Sequence, residues 1–416
     1  MRKIIVEGGQ LLQGDVFVQG SKNSSLGVIV ASLLSKSKVI IKNVPKIQDV
    51  IDLIEIIKTI NVKVESFKDF LIIDSTNIEY RSLTNELVKK FRASYYFMGL
   101  MLSLFNECEI YSPGGCNLGN RPIDMHLNTF NELGVDVECH NDIYRLKKTR
   151  DETNTIVFEK KSVGATINTL LFASSLQKEI TILNISVEPE VMQVIEALRL
   201  MGVEVNVYKD TCIIKGRIKK NGFMISIIPD RIEAGTYALI GAALAKEIRI
   251  HNIEIEHMSY LLDIFDLMNV KYKYTKNLLT IYKSNNINGI NIKTEPYPGF
   301  PTDLQQPLTV LLTKANCDSV IKETIYKERN AHIKELNKMG ANIEIEEDKY
   351  LIKGNRSLVG SELSGKDLRG GASLVFAALL AEGKSVIEGL RYIERGYFNI
   401  VDNLKMLGAN IDVFED

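Results

Sequence analysis

Six times along the chain the same order of segments returns: a mostly apolar helix-like stretch, a short alternating run, an amphipathic helix-like stretch and a second alternating run. The copies begin near Ser21, Arg92, Ser162, Arg231, Pro301 and Leu368, a period of about 70 residues. In the first copy SKNSSLGVIVASLL is followed by SKVIIKNV, IQDVIDLIEIIKTI and NVKVESF. In the last, LRGGASLVFAALLAEG is followed by KSVIEGL, RGYFNIVDNLKMLG and ANIDVFE. The leading helix of each copy is apolar nearly all round, which predicts burial. The second carries apolar residues at i, i+3, i+4 and i+7 and is expected to lie outside. In four copies it runs into glycine (ELGVDV, RLMGVEV, KMGANI, MLGANI), the pattern of a glycine C-cap ahead of a strand.

One such unit cannot cover its own apolar helix, so neighbouring units must share a core. A chain of 416 residues exceeds one ordinary core. The expected fold class is therefore α/β, with two domains built from six βαβ-type repeats, three per domain, each around a buried helix trio. The alternating N-terminal residues read as a strand left over from the C-terminal half. That predicts a discontinuous domain of residues 1–20 plus 230–416 and an inserted domain of residues 21–229. The stretch GFMISIIPDRIEAGT reads as a linker between them. A repetitive scaffold without chemistry has the same pattern, so function must be argued from particular residues.

Composition removes several classes. A net charge of −1 argues against a bulk electrostatic grip on nucleic acid or on an anionic membrane, without excluding a local cationic pocket. No apolar run is long enough to span a bilayer, so no membrane insertion is expected. The first residues lack the apolar core and cleavage pattern of a signal peptide. The cysteines Cys108, Cys116, Cys139, Cys212 and Cys317 are odd in number and fit neither a zinc site nor a disulfide framework. A reducing cytoplasm is the expected location. The five histidines do not cluster at ligand spacing, so no metal is expected, and no cofactor.

Charged and capping residues gather where the apolar helices begin, in GSKNS, FRAS, KSVGAT, DRIEAGT, FPTD and KDLRGGAS. A helix start offers unpaired N–H groups and partial positive charge, both of which favour anions. If these starts converge, Lys22, Arg92, Arg121, Arg329, Arg369 and Arg395 are candidates to hold a ligand that carries carboxylate and phosphate together. Taken one at a time, each is more simply a solvated surface charge. Asp303 in PGFPTDLQQP and Asp367 in GKDLRGG each read in two ways, as a helix N-cap or as a general base beside a ligand hydroxyl. Cys116 in YSPGGCNLGNRPID sits on a glycine-lined loop five residues before Arg121. It reads as a cation-activated thiol or as a spare exposed one.

The segments GSKNSSL, FRAS, PGGCNLGNRPIDMH, KSVGAT, PDRIEAGT, FPTDLQ, ETIYKER, DLRGGASLV and ERGY closely resemble the enolpyruvyl transferases, essentially end to end. The PGGC and RPID segments point to the branch that acts on UDP-N-acetylglucosamine. The shikimate-type relatives share the fold and the six repeats but not those two segments. The resemblance implies a two-domain inverted (inside-out) α/β barrel. It also implies transfer of the enolpyruvyl group of phosphoenolpyruvate to the sugar 3′-hydroxyl, through a tetrahedral addition–elimination intermediate, with release of phosphate. This is the opening step of peptidoglycan precursor synthesis.

Residue roles follow from the same resemblance. Lys22 meets phosphoenolpyruvate and its departing phosphate, with Asn23 on the sugar side. Arg121 and Arg395 clamp phosphoenolpyruvate, helped by Arg92, Arg329 and Arg369. Asp303 accepts the hydroxyl proton, and Asp367 orients or relays near the intermediate. Arg121, Pro122, Ile123, Asp124, Met125, Lys160, Lys161, Ser162, Val163, Gly164 and Ile325 contact the UDP-sugar. Cys116 is the implied proton donor to the methylene carbon, and it can form a covalent adduct with phosphoenolpyruvate. Catalytic participation and a role in product release both stay open for it. The resemblance further implies covalent inhibition by fosfomycin. The departures are small: Ser21 stands where many relatives have alanine, and Glu328 where others have a neutral residue.

Overall fold

The first five copies of the repeat each contain one strand more than the sequence pattern suggests. In the first copy, helix Lys22–Ser32 leads to strand Lys38–Lys42, helix Gln48–Thr59, strand Lys63–Ser66 and then a further strand, Phe70–Asp74. That last strand lies between the other two and is antiparallel to both. The computed structural model describes residues 2–90, 92–114, 123–150, 153–219 and 221–415. Strands Ile143–Lys148, Thr211–Lys215, Leu278–Tyr282 and Lys349–Ile352 take the same central place in later copies. His140 faces Ile143, Tyr208 faces Thr211, Thr275 faces Leu278 and Glu346 faces Lys349, so two residues make each hairpin turn. Those turns read Asn-Asp, Lys-Asp, Lys-Asn and Glu-Asp. None holds the glycine that usually marks a two-residue hairpin. Asn141 and Asp142 nevertheless adopt φ of 49° and 60°, as a type I′ turn requires.

The sixth copy has no such strand of its own. Strand Arg2–Glu7 fills the place, pairing with Lys384–Glu388 on one side and Asn410–Glu415 on the other. The parallel edge strands are exchanged in a related way. Leu12–Phe17, which precedes the first copy, pairs with Ala245–His251 of the fourth. Met224–Ser226, which precedes the fourth copy, pairs with Lys38–Lys42 of the first. The segment expected to be a linker is therefore a sheet edge followed by a helix start, with Asp230 capping helix Arg231–Leu244. Among the described residues, the chain divides into one compact unit of residues 20–228 and another of residues 1–19 with 229–416.

Within the second of these units, helices Arg231–Leu244, Gln305–Thr313 and Leu368–Leu380 pack on one another. They are buried along almost their whole length, as side chains apolar on every face require. Three sheets of four strands belong to this unit. Helices Lys22–Ser32, Tyr96–Phe105 and Val163–Ala173 are the buried helices of the 20–228 unit. Helix Pro189–Leu200 departs from the expectation for second helices, because it buries Glu190, Val191, Gln193, Val194 and Ala197 against Lys22–Ser32.

The helix-ending glycines Gly134, Gly202, Gly340 and Gly408 adopt φ of 82°, 83°, 94° and 97°. At the same point the other two copies use Asn61 and Asn269, at 64° and 59°. Asparagine tolerates the left-handed region better than other side chains. Among the described residues, no helix is long and apolar enough to cross a membrane.

Candidate active site

A single 3-10 turn, Thr302–Leu304, follows extended Pro301 and runs into helix Gln305–Thr313, which starts without a side-chain cap. Asp303 is thus not an N-cap. Its Oδ1 accepts from Arg329 Nη1 at 2.7 Å and its Oδ2 from Arg369 Nε at 3.3 Å. The side chains of Arg329 and Arg369 are 4% and 1% exposed, whereas Asp303 keeps 27%. Burial alone would weaken the Arg329 charge. The carboxylates of Asp303 and Asp367 outweigh it, and the pKa of Arg329 rises above its ordinary value. Arg329 Nε and Arg369 Nη1 have no acceptor among the described residues, so each guanidinium keeps a donor left over. The Arg369 guanidinium lies 5.0 Å from the Tyr397 ring centroid, within cation–π range.

Asp367 does cap a helix. Its Oδ1 accepts from the backbone N–H groups of Arg369 (3.1 Å) and Gly370 (2.8 Å) at the start of Leu368–Leu380. The carboxylate fixes the turn from which Arg369 projects. Arg395 is half-buried in the turn after the short helix Leu390–Ile393, two residues before Tyr397. Ile325 is half-buried, and its N–H donates to Glu323 Oε1 at 2.8 Å.

The 20–228 unit places its candidates at helix starts. Ser21 caps Lys22–Ser32 and Ser162 caps Val163–Ala173, each accepting from a backbone N–H one turn on. Lys22 Nζ lies 3.1 Å from Asp49 Oδ2 in the first turn of Gln48–Thr59, and Asn23 is half-buried beside it in sequence. Lys161 pairs with Asp210 at 3.0 Å, while Lys160 is exposed. Ile123 precedes helix Asp124–Glu132, in which Asp124 is exposed and Met125 half-buried. Cys116, Arg121 and Pro122 lie outside the described residues.

Gly164 is where two of these segments meet. A Cβ there would stand 2.7 Å from Tyr95 Oη and 2.9 Å from His126 Cε1, so only glycine admits both rings. The guanidinium of Arg92 lies 5.7 Å from the Tyr95 ring centroid. Asn168 donates to the Tyr95 carbonyl (2.9 Å) and accepts from Gly99 N–H (3.0 Å), so its NH2 group faces His126 Nδ1 at 2.8 Å. This assigns Nδ1 as acceptor and leaves the ring proton on Nε2. Burial first, and the Arg92 charge second, push the His126 pKa down to about 3.

The structure thus gathers Asp303, Arg329, Arg369 and Asp367 in one unit, and Arg92 with Gly164 in the other. Sequence reasoning missed Glu323, His126 and Asn168. Glu323 and His126 stand inside the matched segments ETIYKER and PGGCNLGNRPIDMH, which was the signal available for them. No group of His, Cys, Asp and Glu placed to hold a metal is found among the described residues.

Residues 6–404 match the family model described as EPSP synthase (3-phosphoshikimate 1-carboxyvinyltransferase). A UDP-N-acetylglucosamine 1-carboxyvinyltransferase of Streptococcus pneumoniae serotype 2 is 40% identical over 419 residues, covering 100% of both chains. The chain belongs to the enolpyruvyl transferase family. A UDP-N-acetylglucosamine 1-carboxyvinyltransferase 2 of Streptococcus pyogenes serotype M18 is also 40% identical, over 100% of both proteins. In fold, this enolpyruvyl transferase is similar to the enolpyruvyl transferase NikO of Streptomyces tendae. The TM-score is 0.91 at 22% identity, covering 99% of this chain and 98% of that one. An EPSP synthase of Acinetobacter baumannii aligns over 100% of both chains with a TM-score of 0.77 and 15% identity. Family and fold agree with the two-domain α/β architecture.

Proposed function

We propose that the chain transfers the enolpyruvyl group of phosphoenolpyruvate to the 3′-hydroxyl of UDP-N-acetylglucosamine, the opening step of peptidoglycan precursor synthesis. The observation that carries this reading is the 40% identity, over the full length of both proteins, to 1-carboxyvinyltransferases named for that sugar nucleotide. The Asp303 cluster supports it. A carboxylate that caps nothing, stays partly exposed and is held by two guanidiniums suits a positioned general base.

In this reading Asp303 takes the proton of the sugar hydroxyl as its oxygen bonds to C2 of phosphoenolpyruvate. A proton delivered to C3, from Cys116, turns the methylene into a methyl group and gives the tetrahedral intermediate. Loss of a proton from that methyl and of phosphate from C2 then restores the double bond on the sugar. Lys22, Arg121 and Arg395 hold the phosphate and carboxylate, with Arg92, Arg329 and Arg369 supplying further positive charge. Asp367 orients this region through the helix start it caps. Asn23, the 121–125 and 160–164 segments, and Ile325 take the sugar nucleotide, and Ser162 and Gly164 lie at a helix start suited to anionic oxygens. The thiols of Cys108, Cys139, Cys212 and Cys317 are free, which suits work in a reducing cytoplasm. We further assign fosfomycin, an epoxide, as a covalent inhibitor at Cys116.

Phosphate release with both substrates tests the reading. Release that requires UDP-N-acetylglucosamine is expected. Release only with shikimate 3-phosphate as acceptor, or sugar-nucleotide binding without release, would overturn it.

A further inference from the structure

We infer that Glu323 is a positioning residue for the Asp303–Arg329 pair, acting through the hydroxyl of Thr302. The inference rests on the reading above, in which Asp303 takes the hydroxyl proton.

Glu323 follows strand Ser319–Lys322 and is fully buried. A buried carboxylate is costly unless its oxygens are hydrogen-bonded. Here four donors converge on it. Oε1 accepts from Thr294 Oγ1 (2.8 Å) and from the backbone N–H groups of Ile325 (2.8 Å) and Tyr326 (3.0 Å). Oε2 accepts from Thr302 Oγ1 at 2.9 Å. A hydroxyl has one proton. Having given it to Glu323, Thr302 presents only lone pairs to its other neighbour, Arg329. Arg329 Nη1 donates to Thr302 Oγ1 at 3.1 Å and to Asp303 Oδ1 at 2.7 Å. The direction of the chain is thereby fixed from one end to the other. Glu323 orients the hydroxyl, the hydroxyl orients one N–H of the guanidinium, and the other N–H of the same nitrogen meets Asp303.

The second arm of Glu323 turns the backbone at Ile325 and Tyr326. That segment is secured again by Thr324, whose N–H donates to Thr294 Oγ1 at 2.9 Å and whose hydroxyl donates to the Thr294 carbonyl at 2.5 Å. One side chain therefore sets two features at once: the angle at which Arg329 holds the base, and the course of the loop assigned to the sugar nucleotide. An apolar residue would fill the same space without the cost of desolvation. It would leave four donors unmatched and the Thr302 hydroxyl free to rotate.

Steady-state kinetics with phosphoenolpyruvate and UDP-N-acetylglucosamine separate the two arms, with Glu323→Gln, Thr302→Val and Thr302→Ser as variants. Thr302→Val is expected to lower kcat about 10- to 100-fold, the range for a slightly misplaced catalytic group, with KM for the sugar nucleotide unchanged. Thr302→Ser should restore most of the loss, because it returns the hydroxyl. Glu323→Gln should lower kcat to a similar degree and also raise KM for the sugar nucleotide. The double variant Glu323→Gln/Thr302→Val should show no greater loss of kcat than the worse single variant. Should Glu323→Gln fail to fold by thermal melting, the Val and Ser pair at 302 decides alone. Thr302→Val with wild-type kcat, or losses that multiply in the double variant, would overturn the positioning role. A wild-type protein inert with both substrates would instead refute the reading on which it rests.

Discussion

The backbone N–H of Arg369 donates to Asp367 Oδ1 at 3.1 Å, while the Arg369 side chain donates to Asp303 from the same turn of helix. A helix cap and a candidate base are thus joined through one residue. Asp367→Asn preserves an acceptor at the N-cap, whereas Asp367→Ala removes it. Loss of such a cap costs about 1 kcal/mol. Asp367→Ala is therefore expected to lower the denaturation midpoint, and Asp367→Asn to leave it near wild type. If Asp367 also orients the intermediate, Asp367→Asn will still lose turnover. Urea titration beside an activity assay reads both effects.

Acid stability carries a mark of His332. Burial, and then the Arg329 charge, hold its pKa down to about 3, so the folded protein keeps it neutral. The unfolded chain protonates it near the ordinary value of about 6.5. Stability from this source is fully present above that value and is lost as pH falls from about 6.5 toward 3. The His332 ring packs edge-on to Tyr350, with centroids 6.4 Å apart, so His332→Phe keeps a ring there and should flatten the decline of the denaturation midpoint between pH 7 and pH 5. A slope equal to that of wild type would show that the histidine does not titrate in this way.

Gly340 isolates the cost of a left-handed backbone. At φ of 94°, a Cβ there meets nothing nearer than the Ser357 carbonyl oxygen at 3.6 Å. Gly340→Ala should therefore destabilise by the conformational term alone, about 1–2 kcal/mol. Gly340→Asn should cost less, as the equivalent Asn61 and Asn269 suggest. Denaturation midpoints of the two variants check the order.

These six helix ends also show how much was legible beforehand. Four were readable because glycine marks the left-handed position, and two were not, because asparagine there is also common in loops. The buried helices were legible from their all-round apolar faces. The central strand of the first five copies was not, since turns such as Lys209-Asp210 lack glycine and the flanking runs are short, whereas the alternation of Arg2–Glu7, which serves the sixth, was readable as a strand of the C-terminal half. The exchange of Leu12–Phe17 and Met224–Ser226 is a long-range pairing, which no local pattern encodes. At the site, proline and helix periodicity located Asp303 but left its partners open. Only the folded chain brings Arg329, Arg369 and, behind them, Glu323 to it.

Fosfomycin should add to one thiol. Intact-mass analysis of protein treated in the presence of UDP-N-acetylglucosamine is expected to show a single adduct, mapped by peptide digestion to Cys116 and absent from Cys116→Asp. Absence of any adduct on wild type would remove Cys116 from the proposed chemistry.

The central claim is that Asp303 accepts a proton while phosphoenolpyruvate passes through an addition–elimination intermediate. Its most direct test is magnetic resonance of the reaction in deuterium oxide, comparing wild type with Asp303→Asn. The account predicts deuterium at the methylene carbon of the enolpyruvyl product made by wild type, and a rate of incorporation about 10²- to 10⁴-fold lower in Asp303→Asn, the scale of a lost general base. Product free of deuterium, or incorporation at the wild-type rate in Asp303→Asn, would contradict it.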